Sequence, residues 1–166
     1  TGPGVATHRY VESPNALQEL KDLVFSSIDD YRDAFEFDPS DTRTHTDGVP
    51  FELAHPWINF QKKHEFNPVH NHDGVFFFII FIKVPFLRKE QKKISPGKKS
   101  NFECAGFLEF LYSGFLGNIE TIKYPVDKTW EQKMLIFPAK LSHCVYPFYG
   151  TDEYRITMSG NVKFKL

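Results

Sequence analysis

The eight residues Val75-Phe76-Phe77-Phe78-Ile79-Ile80-Phe81-Ile82 are apolar without interruption. Successive side chains of an extended strand point to opposite faces, so such a run is hydrophobic on both faces and has to be covered on both. That places it at the centre of a layered fold. From Pro56 onward the chain continues as short apolar or alternating runs separated by turn residues. Strands are expected near residues 57–61, 69–72, 75–84, 103–112, 119–124, 133–137, 141–147 and 153–165. Strands in that number, without the strand–helix alternation of a parallel sheet, point to a double-sheet jelly roll or a small barrel. Eighteen Phe, seven Tyr and two Trp supply the bulky filling that the space between two sheets calls for.

One helix precedes the strands. Ser13 can cap it, Pro14 suits its first position, and Leu17, Leu20, Val24, Ile28 and Tyr31 recur at intervals of three and four through Ala34. Residues 35–50 are polar and rich in turn formers, including Asp38-Pro39-Ser40-Asp41 and Asp47-Gly48, and are expected to form a long loop. At 166 residues the chain is expected to be one domain, with a helix and loop over 1–55 and a jelly-roll core over 56–166. No run approaches the roughly 18 apolar residues of a membrane-crossing helix, and no signal peptide is visible, although an opening Thr-Gly-Pro-Gly without Met leaves room for a trimmed leader. With only Cys104 and Cys144 there is no disulfide framework, and the cytoplasm is the expected compartment.

Net charge is −1, which excludes a general attraction to nucleic acid or anionic membranes by the molecule as a whole. The charges are unevenly spread. Residues 1–50 hold ten acids against four Lys or Arg, whereas residues 83–99 hold seven bases and only Glu90 as an acid. That basic stretch, with Ser95-Pro96-Gly97 at its tip, is expected to be a solvated mobile loop near the mouth of a pocket, or else a lid that contacts an acidic partner.

Three of the seven His form a pattern. His70 and His72 are two apart, which on an extended strand puts both imidazoles on one face. His143 lies on a later strand. If the turn after it centres on Gly150, residues whose numbers sum to about 300 pair, and His143, Arg155 and Thr157 project from one face. Imidazoles suit Fe, Zn, Cu or Ni, and a nearby guanidinium suits a carboxylate. The remaining His8, His45, His55 and His64 have no partner at ligand spacing and are read as surface or core residues. The phenylalanines of the apolar run are read as core, with some rings walling the pocket, and Cys144 as a packed thiol on the face opposite His143. Trp57 and Asn59 are candidates for the pocket lining as much as for ordinary strand positions.

His70-Asn71-His72, the stretch from Phe137 through Ser142-His143-Cys144 to Pro147, and then Arg155-Ile156-Thr157 with Gly160-Asn161, resemble the Fe(II)- and 2-oxoglutarate-dependent oxygenases. The likeness is greatest to the small members common in marine bacteria and their phages, and it runs from about Trp57 to the C-terminus. It implies a double-stranded β-helix, with His70 and His143 as iron ligands, Arg155 holding the far carboxylate of 2-oxoglutarate and Thr157 as its hydroxyl partner. The family's second ligand is usually a carboxylate two residues after the first, where this chain has His72, followed by Asp73. The expected second ligand is His72, with Asp73 as the alternative. The implied cofactors are Fe(II), 2-oxoglutarate and O2, and the implied activity is a dioxygenase, most simply a hydroxylase, acting on an unidentified primary substrate in the cytoplasm, that of a phage's host if the chain is phage-encoded. Two other readings stay open: a cupin-like metalloenzyme that does not use 2-oxoglutarate, and a non-enzymatic jelly-roll binding or virion protein.

Overall fold

The computed structural model describes residues 7–35 and 49–165. Ten strands and two α-helices follow in the order β1 (Thr7–Tyr10), α1 (Pro14–Ala34), β2 (Phe51–Leu53), β3 (Trp57–Gln61), β4 (Asn67–His70), β5 (Phe76–Lys83), α2 (Arg88–Ile94), β6 (Leu108–Ser113), β7 (Ile119–Tyr124), β8 (Met134–Pro138), β9 (Ser142–Val145) and β10 (Arg155–Phe164). A 3-10 turn, Lys128–Trp130, precedes β8. The strands form two antiparallel sheets, one ordered β1-β3-β10-β5-β8 with β2 also on β10, the other β4-β9-β6-β7. The fold is a mainly β jelly roll with an N-terminal flanking helix.

Strand β5 is buried on both faces, as its uninterrupted apolar run requires. Phe77, Ile79 and Phe81 face the second sheet, where they pack with Leu108 and Phe110, and with Phe137 from β8 of their own sheet. Phe76 and Phe78 face the other way, onto Leu20, Val24 and Ile28 of α1. The larger sheet is therefore the middle of three layers, and the helix occupies the span its periodicity indicates. Ser13 stands at the N-cap position, but its side chain makes no capping hydrogen bond.

Several expectations are corrected. Residues 83–99 are a loop only in part: Arg88–Ile94 is helix α2, whose start is closed by the Glu90 carboxylate accepting the backbone N–H of Leu87, while residues 95–99 form a turn. The expected strand at 103 begins only at Leu108, because Glu103 accepts the N–H of Ala105 and Gly106 turns with φ +79°. Strand β4 stops at His70, two residues short of His72, and its pairing with β9 shifts between Asn67 and His70, where Pro68 has no N–H to offer. Strands β9 and β10 do not form a hairpin. His143 pairs with His70 and Phe110 in the smaller sheet, while Arg155 pairs with Gln61 in the larger one. Residues 146–154 cross between the sheets instead of turning back, because Tyr146 donates its N–H to Phe107 and Tyr149 is tied by its backbone to Gln91. Short strands β1 and β2 are additional to those expected. Residues 36–48 of the expected loop, with His45, lie outside the described residues. No helix among the described residues is long and apolar enough to cross a membrane.

Candidate metal centre and its cavity

A cavity of about 260 Å³ lies between the two sheets and contains every site residue named from the sequence except Asp73. His70 reaches it from the end of β4 and His143 from β9, cross-strand partners whose ring centroids lie 4.3 Å apart. His72 comes from the connection into β5, anchored by its backbone N–H on the Ala139 carbonyl at 2.8 Å. Two residues on, Gly74 takes φ +102° and passes so close to the Val162 carbonyl that a Cβ would lie 2.5 Å from it. Only glycine accommodates that turn without strain, and the turn sends the chain from His72 into the buried strand. The two imidazoles thus reach the same cavity although they do not share one continuous strand.

The three rings converge: one nitrogen from each of His70, His72 and His143 lies within 4.8 Å of the others. His70 Nδ1 is 2.7 Å from the Pro68 carbonyl and His143 Nδ1 is 3.0 Å from the Leu141 carbonyl. A carbonyl oxygen only accepts, so each Nδ1 donates its proton, and in the neutral ring that leaves Nε2 with the lone pair a ligand atom needs. His72 stacks on Phe77 at 3.5 Å with the rings parallel, and its Nε2 is buried with no hydrogen-bond partner. A buried imidazole nitrogen without a partner carries a desolvation cost that a metal ion would relieve. Three neutral imidazole nitrogens suit iron, zinc, copper or nickel, and the donor set fits such an ion. Asp73 is turned to solvent, 3.5 Å from Lys140, and does not enter the cluster.

Burial, with the other two imidazoles adding to it, lowers the pKa of His72 to about 3 against a weak opposing pull from Asp73. Burial likewise lowers His143 to about 4, against the raising effect of its bond to the Leu141 carbonyl. Both rings are therefore neutral and available as ligands at ordinary pH. In the unfolded chain they titrate near 6.5, so below that value the unfolded state binds more protons. The metal-free protein is expected to be equally stable from pH 8 to 7 and to weaken as pH falls from 6.5 toward 4. Between pH 7 and 5, where carboxylates barely titrate, His143 accounts for about 2 kcal/mol and the more exposed His72 for less. Urea denaturation in chelator at pH 7 and 5, comparing the protein with His72→Gln and His143→Gln, measures it; identical pH dependence in all three contradicts the assignment.

Opposite the triad, Arg155 projects from β10 with 3% of its surface exposed. Four of its five N–H groups are taken by neutral acceptors: Nε and one Nη2 hydrogen by Gln61 Oε1, Nη1 by the Gly106 carbonyl and the second Nη2 hydrogen by the Tyr146 carbonyl. No carboxylate among the described residues pairs with it. Burial lowers its pKa to about 9, which leaves it charged at neutral pH. A buried cation at a cavity wall, with no carboxylate partner among the described residues, has the chemistry to receive an anion. The sequence did not single out Gln61. The signal was there: Trp57, Asn59 and Gln61 alternate on β3, which sends two amides to the cavity between the sheets. Asn59 donates to Thr157 Oγ1 at 3.4 Å and to Ser159 Oγ at 3.3 Å, and both hydroxyls line the cavity. Cys144 faces away from the cavity, toward Glu109 and Tyr146.

Fold and site together define a jelly-roll protein with a three-histidine, arginine-bearing cavity. No family model matches the chain, and no curated protein does. Among solved structures it is similar to an oxidoreductase of the 2OG-Fe(II) oxygenase family from Burkholderia pseudomallei, at 12% identity over 70% of this chain and 46% of that one, with a TM-score of 0.49. It is also similar to a cupin domain from Bordetella pertussis Tohama I (9% identity, 72% and 88% of the two chains, TM-score 0.36) and to an RmlC-like cupin from Desulfovibrio desulfuricans (15%, 67% and 80%, TM-score 0.30). The chain spans about half the length of the oxygenase. These likenesses carry no activity to this chain; the fold assignment rests on the strand pairing itself.

Proposed function

We propose that the chain is an Fe(II)- and 2-oxoglutarate-dependent dioxygenase that hydroxylates an unactivated C–H bond in a protein or peptide residue such as proline, or in a small molecule. One observation supports this reading above the others: a single cavity holds three convergent imidazoles and a buried guanidinium with no carboxylate partner among the described residues. His70, His72 and His143 would hold the iron, and Arg155 with Thr157 the far carboxylate of 2-oxoglutarate. Iron and the keto acid, once bound, supply the coupled use of O2 that decarboxylates 2-oxoglutarate to succinate and hydroxylates the substrate. The chain's own part is positioning and exclusion. Arg155 would offer its charge and Thr157 its hydroxyl, while Phe77, Ile79, Phe81 and Leu108 give the cavity apolar walls, which strengthens the charge pairing.

An all-histidine donor set with Asp73 turned away also suits a cupin-like metalloenzyme, in which Arg155 would bind a substrate carboxylate. A non-enzymatic jelly-roll or virion protein would hold no stoichiometric metal. We take the whole chain as one domain, and two free thiols suit a cytoplasmic setting. Calorimetry of 2-oxoglutarate binding to the Mn(II)-loaded protein tests the reading. Thr157→Val removes one hydrogen bond to a charged group, worth about 1.5–3 kcal/mol, so affinity should fall roughly tenfold to a hundredfold. Absence of binding to the unaltered protein moves the assignment to the cupin-like enzyme.

A further inference from the structure

Helix α2 of the basic segment is a fixed platform. Gln91 of α2 is 1% exposed, and its amide makes two hydrogen bonds to the backbone of Tyr149, each 2.9 Å. Ser95, at the helix end, is also buried, and Ile94 lies against Gly150. Two of the segment's seven bases are already paired: Arg88 with Glu103 and Lys83 with Glu153. Lys89, Lys92, Lys93, Lys98 and Lys99 are exposed and form no ion pair among the described residues. Lys89, Lys92 and Lys93, three and four apart on α2, stand beside one another, a repulsive arrangement that an anion would relieve.

Beside this platform runs a groove of about 430 Å³, with Ser95 and Gly97 on its lysine-rich side and Phe102, Lys123, Tyr146 and Tyr149 across it. Phe102 is 73% exposed, with the Lys123 ammonium 4.6 Å from its ring centre. The carboxylates nearby are engaged, Glu109 by Lys123 and Tyr146, Glu103 by Arg88, and Glu90 of α2 by the backbone N–H of Leu87. None of the groove-lining residues is acidic.

We propose that this face binds a single-stranded nucleic acid, with phosphates on Lys92, Lys93, Lys98 and Lys99 and an unstacked base against Phe102. Fixed lysines alone would serve any polyanion. The exposed ring in a concave groove selects a chain that carries both phosphates and free planar bases; a duplex keeps its bases stacked inside, and an acidic peptide has none. The site is separate from the metal cavity and does not depend on the oxygenase reading.

Fluorescence anisotropy of a labelled oligo-dT 12-mer on the full chain, with and without chelator, is the test. Binding should be indifferent to chelator and should weaken about 20- to 50-fold between 50 and 200 mM salt, as release of ions from three or four phosphates dictates. Replacing Lys92, Lys93, Lys98 and Lys99 with Ser should flatten that salt dependence. Phe102→Ala should lower affinity about tenfold at every salt concentration and leave the slope unchanged. All these side chains are exposed, so the variants are expected to fold. No binding at 50 mM salt overturns the proposal, as does equal binding of a duplex or of a Glu 12-mer, or an unchanged affinity in Phe102→Ala.

Discussion

Gln61→Glu is expected to abolish tight 2-oxoglutarate binding while leaving the metal centre intact. The amide oxygen of Gln61 holds two N–H groups of Arg155 yet contributes no charge, so the guanidinium stays electrically uncompensated toward the cavity. A carboxylate of the same shape keeps those contacts and cancels the charge. It replaces the Gln61 Nε2 donor with a second carboxylate oxygen facing the Glu65 carbonyl, at a cost of about 1–3 kcal/mol that the new ion pair offsets. The lost attraction is of the size found when a buried pair is broken, roughly 3–5 kcal/mol, or a hundredfold to a thousandfold in affinity. Arg155→Met removes the charge from the other side and should give a similar loss. Metal titration and thermal melts of both variants separate this effect from misfolding. If both bind 2-oxoglutarate as tightly as the unaltered protein, Arg155 is not its anchor.

Alanine at His70, His72 or His143 is expected to eliminate stoichiometric Fe(II) binding. Changes outside a metal's ligand shell already cost 10- to 100-fold in affinity, and loss of one of three ligands should exceed that. His143 is the hardest to truncate cleanly, because it is enclosed by Phe77, Phe110 and Phe137; His70 and His72, only half-buried, are the cleaner tests. Asp73→Ala should retain the metal, since its carboxylate faces Lys140 in solvent. Equilibrium dialysis with metal analysis decides between them: iron lost from Asp73→Ala and kept by His72→Ala would replace His72 with Asp73 in the ligand set.

What could be read from the sequence was what strict periodicity encodes. Helix α1 follows from Leu20, Val24 and Ile28 at helical spacing, and the central place of β5 from a run with no polar face. Edge strands β1 and β2 were not legible, because Thr-His-Arg-Tyr and Phe-Glu-Leu carry too little pattern and owe their form to pairing with β3 and β10. Helix α2 was hidden for a related reason: its buried anchor is the polar Gln91, which does not register as an apolar stripe. The convergence of His143, Arg155 and Thr157 was anticipated through a hairpin that does not exist. They meet because two sheets face each other across the cavity, a long-range arrangement that local turn geometry does not encode.

A dioxygenase of this kind must hold both a metal and 2-oxoglutarate in one cavity. An anaerobic titration of the metal-free protein with Fe(II), run with and without 2-oxoglutarate and followed by visible absorption, addresses that directly. The expected result is one equivalent of Fe(II) bound in either case, a weak visible charge-transfer band only when both are present, and no band in Gln61→Glu despite bound iron. Iron binding with no band at saturating 2-oxoglutarate, or no iron binding at all, would contradict it.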